Sequence, residues 1–364
     1  MKKMVAAIYS IILIFLCLYS YVLIDPNITF VQHPFWVRFR EFVIEVGYYR
    51  RDISWILYFG ILLLLYLFHF YFIKNHQKIR ILQLVGIISV IFIFSYPFFS
   101  HDFFNYMFDA RIFTWYGKNP YLYKALDFPA DQWTRFMHWT HRTYPYGPFF
   151  LLLSFIPSFF GFGKFTITFV LFKIMFIGFY VLSVFFLQKL NKKWAVLYAT
   201  HPFIIVEGLV NGHNDLIGLC LAIIGIYYIL KKKNAMGRVI LLLSIGIKYI
   251  NLPVSLVRNA KTFVLVSFVL QCAILVYISF RMEIQPWYFL SLFAYLPFFP
   301  NFISRLNLFF FGLLVSYYPY IRLGGWDRVE RVNIKHQIIG FFALCTFLQL
   351  GFLYSLRYIR LRKE

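Results

Sequence analysis

Runs of roughly 20 apolar residues recur from one end of this chain to the other, and each is long enough to carry a helix across the ~30 Å hydrocarbon core of a bilayer. Inside that core a backbone N–H or C=O has no water to bond, so a continuous apolar run satisfies itself as helix. Candidate spans cover residues 5–24, 53–73, 81–98, 165–187, 194–210, 214–230, 239–257 with an interruption, 262–280, 287–303, 306–321 and 337–356, about eleven in all. The stretch 149–160 is too short to span and suits a re-entrant or interfacial helix. The expected fold class is all-α, a polytopic transmembrane helix bundle with one long non-cytoplasmic loop carrying juxtamembrane helices.

Composition agrees. Hydrophobic residues make up 61% of the chain and charged ones 14%, against about 45–50% and about 25% in soluble domains. A soluble enzyme, a fibrous protein and a disordered scaffold are excluded. Lys plus Arg outnumber Asp plus Glu by 36 to 14, which in a bilayer protein points to loops facing anionic head groups and to an anionic substrate rather than to nucleic acid. Cys17, Cys220, Cys272 and Cys345 all fall inside apolar runs and read as small core hydrophobes, with neither disulfide nor zinc spacing. The first run lacks a small-residue cleavage site and is followed by further spans, so it reads as a retained helix rather than a signal peptide.

Short basic loops set the orientation. Lys2 and Lys3, the Lys74–Arg80 loop, Lys189 to Lys193, Lys231 to Arg238, and Arg258 with Lys261 belong in the cytoplasm, which puts residues 25–52, 99–164, 207–215 and 281–287 on the other side. No internal repeat or appended soluble domain is visible. The chain reads as a single membrane domain, 1–364, with two accessory spans in 1–80, a catalytic core in 81–290 and C-terminal spans in 291–364. Polar chemistry concentrates in the loop from Phe99 to Pro148.

That loop opens on Ser-His-Asp-Phe-Phe-Asn-Tyr-Met-Phe-Asp-Ala-Arg, residues 100–111. As a helix, Asp102, Asn105, Tyr106 and Asp109 share one face and Arg111 points away. Paired carboxylates there can bind a divalent cation or supply a general base, or they can be a solvated helix face. Tyr144 and Tyr146 stand in Tyr-Pro-Tyr-Gly-Pro, which is turn punctuation or a pair of sugar contacts. Glu207-Gly-Leu-Val-Asn-Gly-His-Asn-Asp215 sits between two apolar runs, where ionisable groups face a cavity or a pathway. Asn214 and Asp215 can also cap the next helix, whereas His213 cannot be explained that way. The run from Val239 breaks at Gly246-Ile-Lys-Tyr-Ile-Asn-Leu-Pro253, which suggests two short helices meeting in the membrane with Lys248 aimed at an anion. Lys173, alone in its span, reads as a snorkeller. Arg281 can add a phosphate contact, and Trp287 and Tyr288 are belt aromatics or site residues. No P-loop, dinucleotide fingerprint, zincin helix or nucleophile elbow is present.

In this order, the Asp just after a span, Asp-Ala-Arg, Gly-Lys-Asn-Pro-Tyr, Tyr-Pro-Tyr-Gly-Pro, Asn-Gly-His-Asn-Asp and Gly-Ile-Lys-x-x-x-Leu-Pro resemble the integral-membrane GT-C glycosyltransferases. The similarity is to bacterial alpha-1,6-mannosyltransferases and to the GPI mannosyltransferase catalytic subunit, over residues 81 to about 290. The resemblance implies an inverting glycosyltransferase, expected to move mannose from a polyprenyl phosphate carrier to a hydroxyl on a glycan, lipid or protein acceptor at the non-cytoplasmic face. It makes Asp102 the general base, and expects a multi-pass protein of the plasma membrane in a bacterium or archaeon, building cell envelope glycan. Where the GPI-type enzymes show Asp-x-Asp, this chain has Asp102-Phe-Phe. No cofactor is required, and a divalent cation is compatible but not indicated.

The chemistry fits the residues. A phosphate leaving group needs cations more than a general acid, so one base and one cationic pocket suffice. Asp102 is expected to be catalytic. Asp109, Arg111, Tyr144, Tyr146, His213, Asn214, Asp215, Lys248, Arg281, Trp287 and Tyr288 are expected to bind substrate. The alternative is a transporter or flippase of a lipid-linked sugar, against which stands the absence of an inverted repeat.

Overall fold

The computed structural model describes residues 3–325 and 327–361, so Lys2, one of the charges used for orientation, lies outside them. Every regular element among the described residues is helical. The N-terminal part comprises α1 (Lys3–Tyr19), α2 (Pro34–Ile44), α3 (Arg51–Lys74) and α4 (Ile81–Phe92). The polar loop contributes α5 (Asp102–Thr114) and α6 (Pro148–Phe159). Then come α7 (Phe165–Leu190), α8 (Lys192–Thr200), α9 (Asp215–Leu230), α10 (Asn234–Ile247) and α11 (Lys261–Arg281). Short helices α12 (Pro300–Arg305), α13 (Asn307–Val315) and α14 (Tyr318–Arg322) lead into α15 (Val329–Leu361).

Among the described residues five helices are long and apolar enough to cross a bilayer, spanning Lys3–Leu23, Arg51–Lys74, Phe165–Leu190, Lys261–Arg281 and Val329–Ser355. The bent pair Ile204–Val210 and Asp215–Leu230 makes a sixth if taken as one span. The expected count of about eleven is not reached. Proline accounts for much of the shortfall, because it removes a backbone donor and clashes with the preceding turn. The run 194–210 divides at His201-Pro202 into α8 and the π-helical segment Ile204–Val210. The run 287–303 becomes the 3-10 stretch Pro286–Tyr295 and α12, on either side of Pro297, and 306–321 becomes α13 and α14, with Pro319 in the first turn of the latter.

The fold is centred on α9, which packs against α7 and α10, while α5 packs on α6. Between the segment Ile204–Val210 and α9 the chain turns through 113°. Gly212 makes the turn with φ +69°, and a Cβ there would sit 2.7 Å from Cδ2 of Phe103, one residue after Asp102. The turn leaves carbonyls at the end of the π-helical segment without intrahelical partners. Lys173 of α7 takes them: its Nζ donates to the carbonyls of Leu209 at 2.7 Å and Val210 at 2.8 Å, and the side chain is buried. Lys173 is therefore not a snorkeller but the tie that closes the bend.

Lys173→Met keeps the apolar stem and removes those two donors. Each buried carbonyl left unpaired costs about 1–3 kcal/mol, so thermal unfolding in detergent is expected to begin at a lower temperature than for the unaltered protein.

Candidate active site

Helix α5 begins at Asp102 itself, whose backbone N–H donates to Ser100 Oγ at 3.2 Å. The seven-residue separation of Asp102 and Asp109 makes about two turns, so both carboxylates and Tyr106 lie along one face, as the sequence periodicity predicts. Asp102 lies within electrostatic reach of Lys248 and Arg142, and within reach of the Trp139 indole N–H and the Tyr146 hydroxyl. Burial pushes its carboxyl above the ordinary range, and the two cations pull it back. Asp109, buried deeper and facing Arg142 from farther along the helix, is pushed up to about 8 by burial. Near neutral pH Asp109 is therefore largely protonated.

Lys248 comes from the interrupted run. Helix α10 ends at Ile247, Lys248 is extended (φ −145°, ψ 113°), and a 3-10 segment runs on from Tyr249 to Leu256. Its Nζ lies 2.9 Å from Asp215 Oδ2 and donates to Asn214 Oδ1 at 3.0 Å. Asn214 and Asp215 thus hold Lys248, and the side chain of Asn214 does not cap α9. The rings of Tyr146 and Tyr288 flank the ammonium at 5.4 and 5.7 Å, a cation–π distance.

A close approach of two backbones brings Tyr146 there. A Cβ on Gly147 would lie 1.8 Å from the carbonyl oxygen of Gly246, so only glycine lets the Tyr-Pro-Tyr-Gly-Pro loop reach the break in α10. Tyr144 is buried behind it and donates its hydroxyl to the Gly147 carbonyl at 3.4 Å. On the opposite side the His213 ring lies flat on Trp287, with centroids 3.9 Å apart and planes at 15°. His213 is fully buried, and neither ring nitrogen has a hydrogen-bond partner among the described residues.

Two expected residues lie apart from this cluster. Arg111 turns away from the carboxylate face. Its Nε donates to Asp131 Oδ2 at 2.6 Å, and its guanidinium packs over Trp133 and Trp115, which fastens the 131–136 loop to the end of α5. Arg281 is exposed at the end of α11, over the ring of Tyr277 on its own helix. Arg142 takes the place expected of a second cation. It stacks on Trp139, and its buried Nε has no hydrogen-bond partner among the described residues. Sequence reading counted Arg142 only as one more basic loop residue, because a non-periodic loop carries no signal of where it points. Among the described residues no group of three or more His, Cys, Asp or Glu side chains comes together as a metal cage.

A carboxylate, two cations and several aromatic rings thus gather in an all-helical protein with five helices, among the described residues, long and apolar enough to cross a membrane. The chain belongs to the alpha-(1->6)-mannopyranosyltransferase family, whose N-terminal-domain model matches residues 28–289, and it is a GT-C mannosyltransferase. The match reaches back beyond residue 81 to include α3. No curated protein and no solved structure is significantly similar to the chain.

Gly147→Ala forces the loop and α10 apart. Overpacking of this kind costs about 1–3 kcal/mol, and thermal melting is expected to fall accordingly, whereas Gly60→Ala, with open space around its Cβ, is expected to melt like the unaltered protein.

Proposed function

We propose that this protein is an inverting mannosyltransferase that takes mannose from a polyprenyl phosphate on the non-cytoplasmic side of the membrane and attaches it to a hydroxyl acceptor. The observation that carries the reading is the meeting of Asp102 with Lys248 and Arg142, three groups from separate segments of the chain. Asp102 accepts the proton of the acceptor hydroxyl as its oxygen attacks the anomeric carbon. The bond from that carbon to the phosphate oxygen breaks, and polyprenyl phosphate leaves with the electron pair. Arg142 and Lys248 stabilise the departing anion, which is where preorganised charge lowers a barrier most. Displacement from the face opposite the leaving group inverts the anomeric centre.

The charge balance explains why Arg142 matters. Asp215 pairs with Lys248 at 2.9 Å, so the lysine is already partly neutralised, and Arg142, which has no carboxylate within ion-pair distance among the described residues, supplies the less compensated positive charge. Phe149, whose ring lies against Gly246, is an exposed apolar side chain, as are Leu152, three residues on in α6, and Tyr249 and Leu252, which follow Lys248 in sequence. They form a surface suited to a prenyl chain whose phosphate enters between Tyr146 and Tyr288. The reaction as written uses no metal. Intact passage of the donor, as in a flippase, leaves the base at Asp102 without a task.

The test is transfer of mannose from synthetic polyprenyl-phosphate mannose by protein in liposomes. Asp102→Asn is expected to slow transfer about 10²- to 10⁴-fold, the range a general base supplies, with the melting temperature retained. An unchanged rate removes Asp102 from the mechanism, and movement of intact donor without transfer favours the flippase. The pH profile is a second check. The base works only when ionised and burial raises its pKa, so the acid limb of kcat/KM is expected above the ordinary carboxylate value of about 3.9. Arg142→Gln removes a cation that lowers that pKa, so it is expected to move the acid limb to still higher pH.

A further inference from the structure

The fully buried carboxylate of Glu207 is not used by the mechanism above. It lies in the π-helical segment Ile204–Val210, a kind of local irregularity often found at functional sites. Asn211 Nδ2 donates to its Oε2 at 3.1 Å, and the same oxygen lies 3.5 Å from His213 Nε2. Tyr317 sits beside it and Lys335 of α15 is within electrostatic reach. Among the described residues Oε1 has no hydrogen-bond partner, nor has either nitrogen of His213.

A carboxylate facing one nitrogen of a buried imidazole selects the tautomer with the proton on that nitrogen. The other nitrogen is then a lone-pair acceptor. That tautomer would put the Nε2 proton towards Glu207 and leave Nδ1 bare in a ring stacked on Trp287. A spacing of 3.5 Å is long for a hydrogen bond, and such contacts in empty sites often tighten when substrate binds. An acceptor nitrogen buried beside an aromatic wall, next to the Asn214–Asp215–Lys248 clasp, matches the hydroxyl of a sugar and not its phosphate.

We propose that Glu207 is a positioning residue that fixes the His213 tautomer, so that Nδ1 receives a hydroxyl of the donor mannose. The sugar assignment rests on the glycosyltransferase reading, while the tautomer assignment does not. Glu207 has a wider reach as well. Asn211, which donates to it, accepts the backbone N–H of Phe99 at 3.3 Å, and Tyr317 stacks on Phe99 at 3.9 Å. One carboxylate thus touches both the His213 wall and the strap that leads into Asp102. Tyr317 and Lys335 come from beyond residue 289, outside the stretch that the N-terminal-domain model matches.

Two measurements on the full-length protein in nanodiscs test this. The first is the ¹⁵N spectrum of ring-labelled histidine, with His213 assigned by subtracting His213→Gln. It is expected to show protonated Nε2 and bare Nδ1, and Glu207→Gln is expected to shift that balance. A ring protonated at Nδ1, or one indifferent to Glu207→Gln, overturns the proposal without reference to activity. The second uses polyprenyl-phosphate mannose turnover. Glu207→Gln is expected to lower kcat/KM about 10- to 100-fold, as loss of a group orienting a functional histidine does. The double variant Glu207→Gln/His213→Ala is expected to be no slower than His213→Ala alone. Losses that multiply mean Glu207 does not act through His213, and the proposal falls. No transfer by the unaltered protein overturns the mannosyltransferase reading and with it the sugar assignment, while the ring spectrum still decides the tautomer.

Discussion

The contact on which the site depends is the clasp between Lys248 and the Asn214–Asp215 pair. It joins the interruption after α10 to the first turn of α9, two places where the helical ladder is open and the polar groups need partners. The pair is almost wholly out of water, with Asp215 at 2% and Lys248 at 15% side-chain exposure. Removing one partner from such a pair costs about 3–5 kcal/mol, because the other charge is left in a medium that cannot solvate it. The two breaks therefore form together, and Tyr146, Tyr288 and Asp102 gather around them.

The bilayer explains why the polar groups cluster so tightly. Where the backbone bends, the freed carbonyls and charges find partners on neighbouring segments, since hydrocarbon offers none. Lys173 closes the end of the π-helical segment, Glu207 meets Asn211 and His213, and Lys335 donates to Glu283 at 2.7 Å and Gln285 at 3.1 Å. The last contact ties α15 to the strand of chain leading to Trp287. A helix beyond the stretch matched by the N-terminal-domain model thereby helps hold one wall of the candidate site.

The division of labour between the two arginines of the polar loop follows from aromatic packing. Arg111 is wedged between Trp115 and Trp133 and neutralised by Asp131, so its charge is spent on holding the loop. Arg142 has one aromatic face, Trp139, and no carboxylate within bonding distance among the described residues. Its charge remains directed at Asp102 and Asp109.

What was legible in the sequence is what depends on local chain chemistry. The helical class follows from apolar run length, the carboxylate face of α5 from a 3.6-residue period, and the break at Lys248 from a lysine and a proline in an otherwise apolar run. These are short-range effects, and the structure has each of them where the sequence puts it. The tertiary structure alone decided which charges meet. Arg142 entered the cluster and Arg281 stayed out, Lys173 turned inward to two carbonyls, and Glu207 came to face His213. Those outcomes depend on how helices distant in sequence cross, and the crossing is set by close backbone approaches such as Gly147 on Gly246, to which no periodicity in the sequence points.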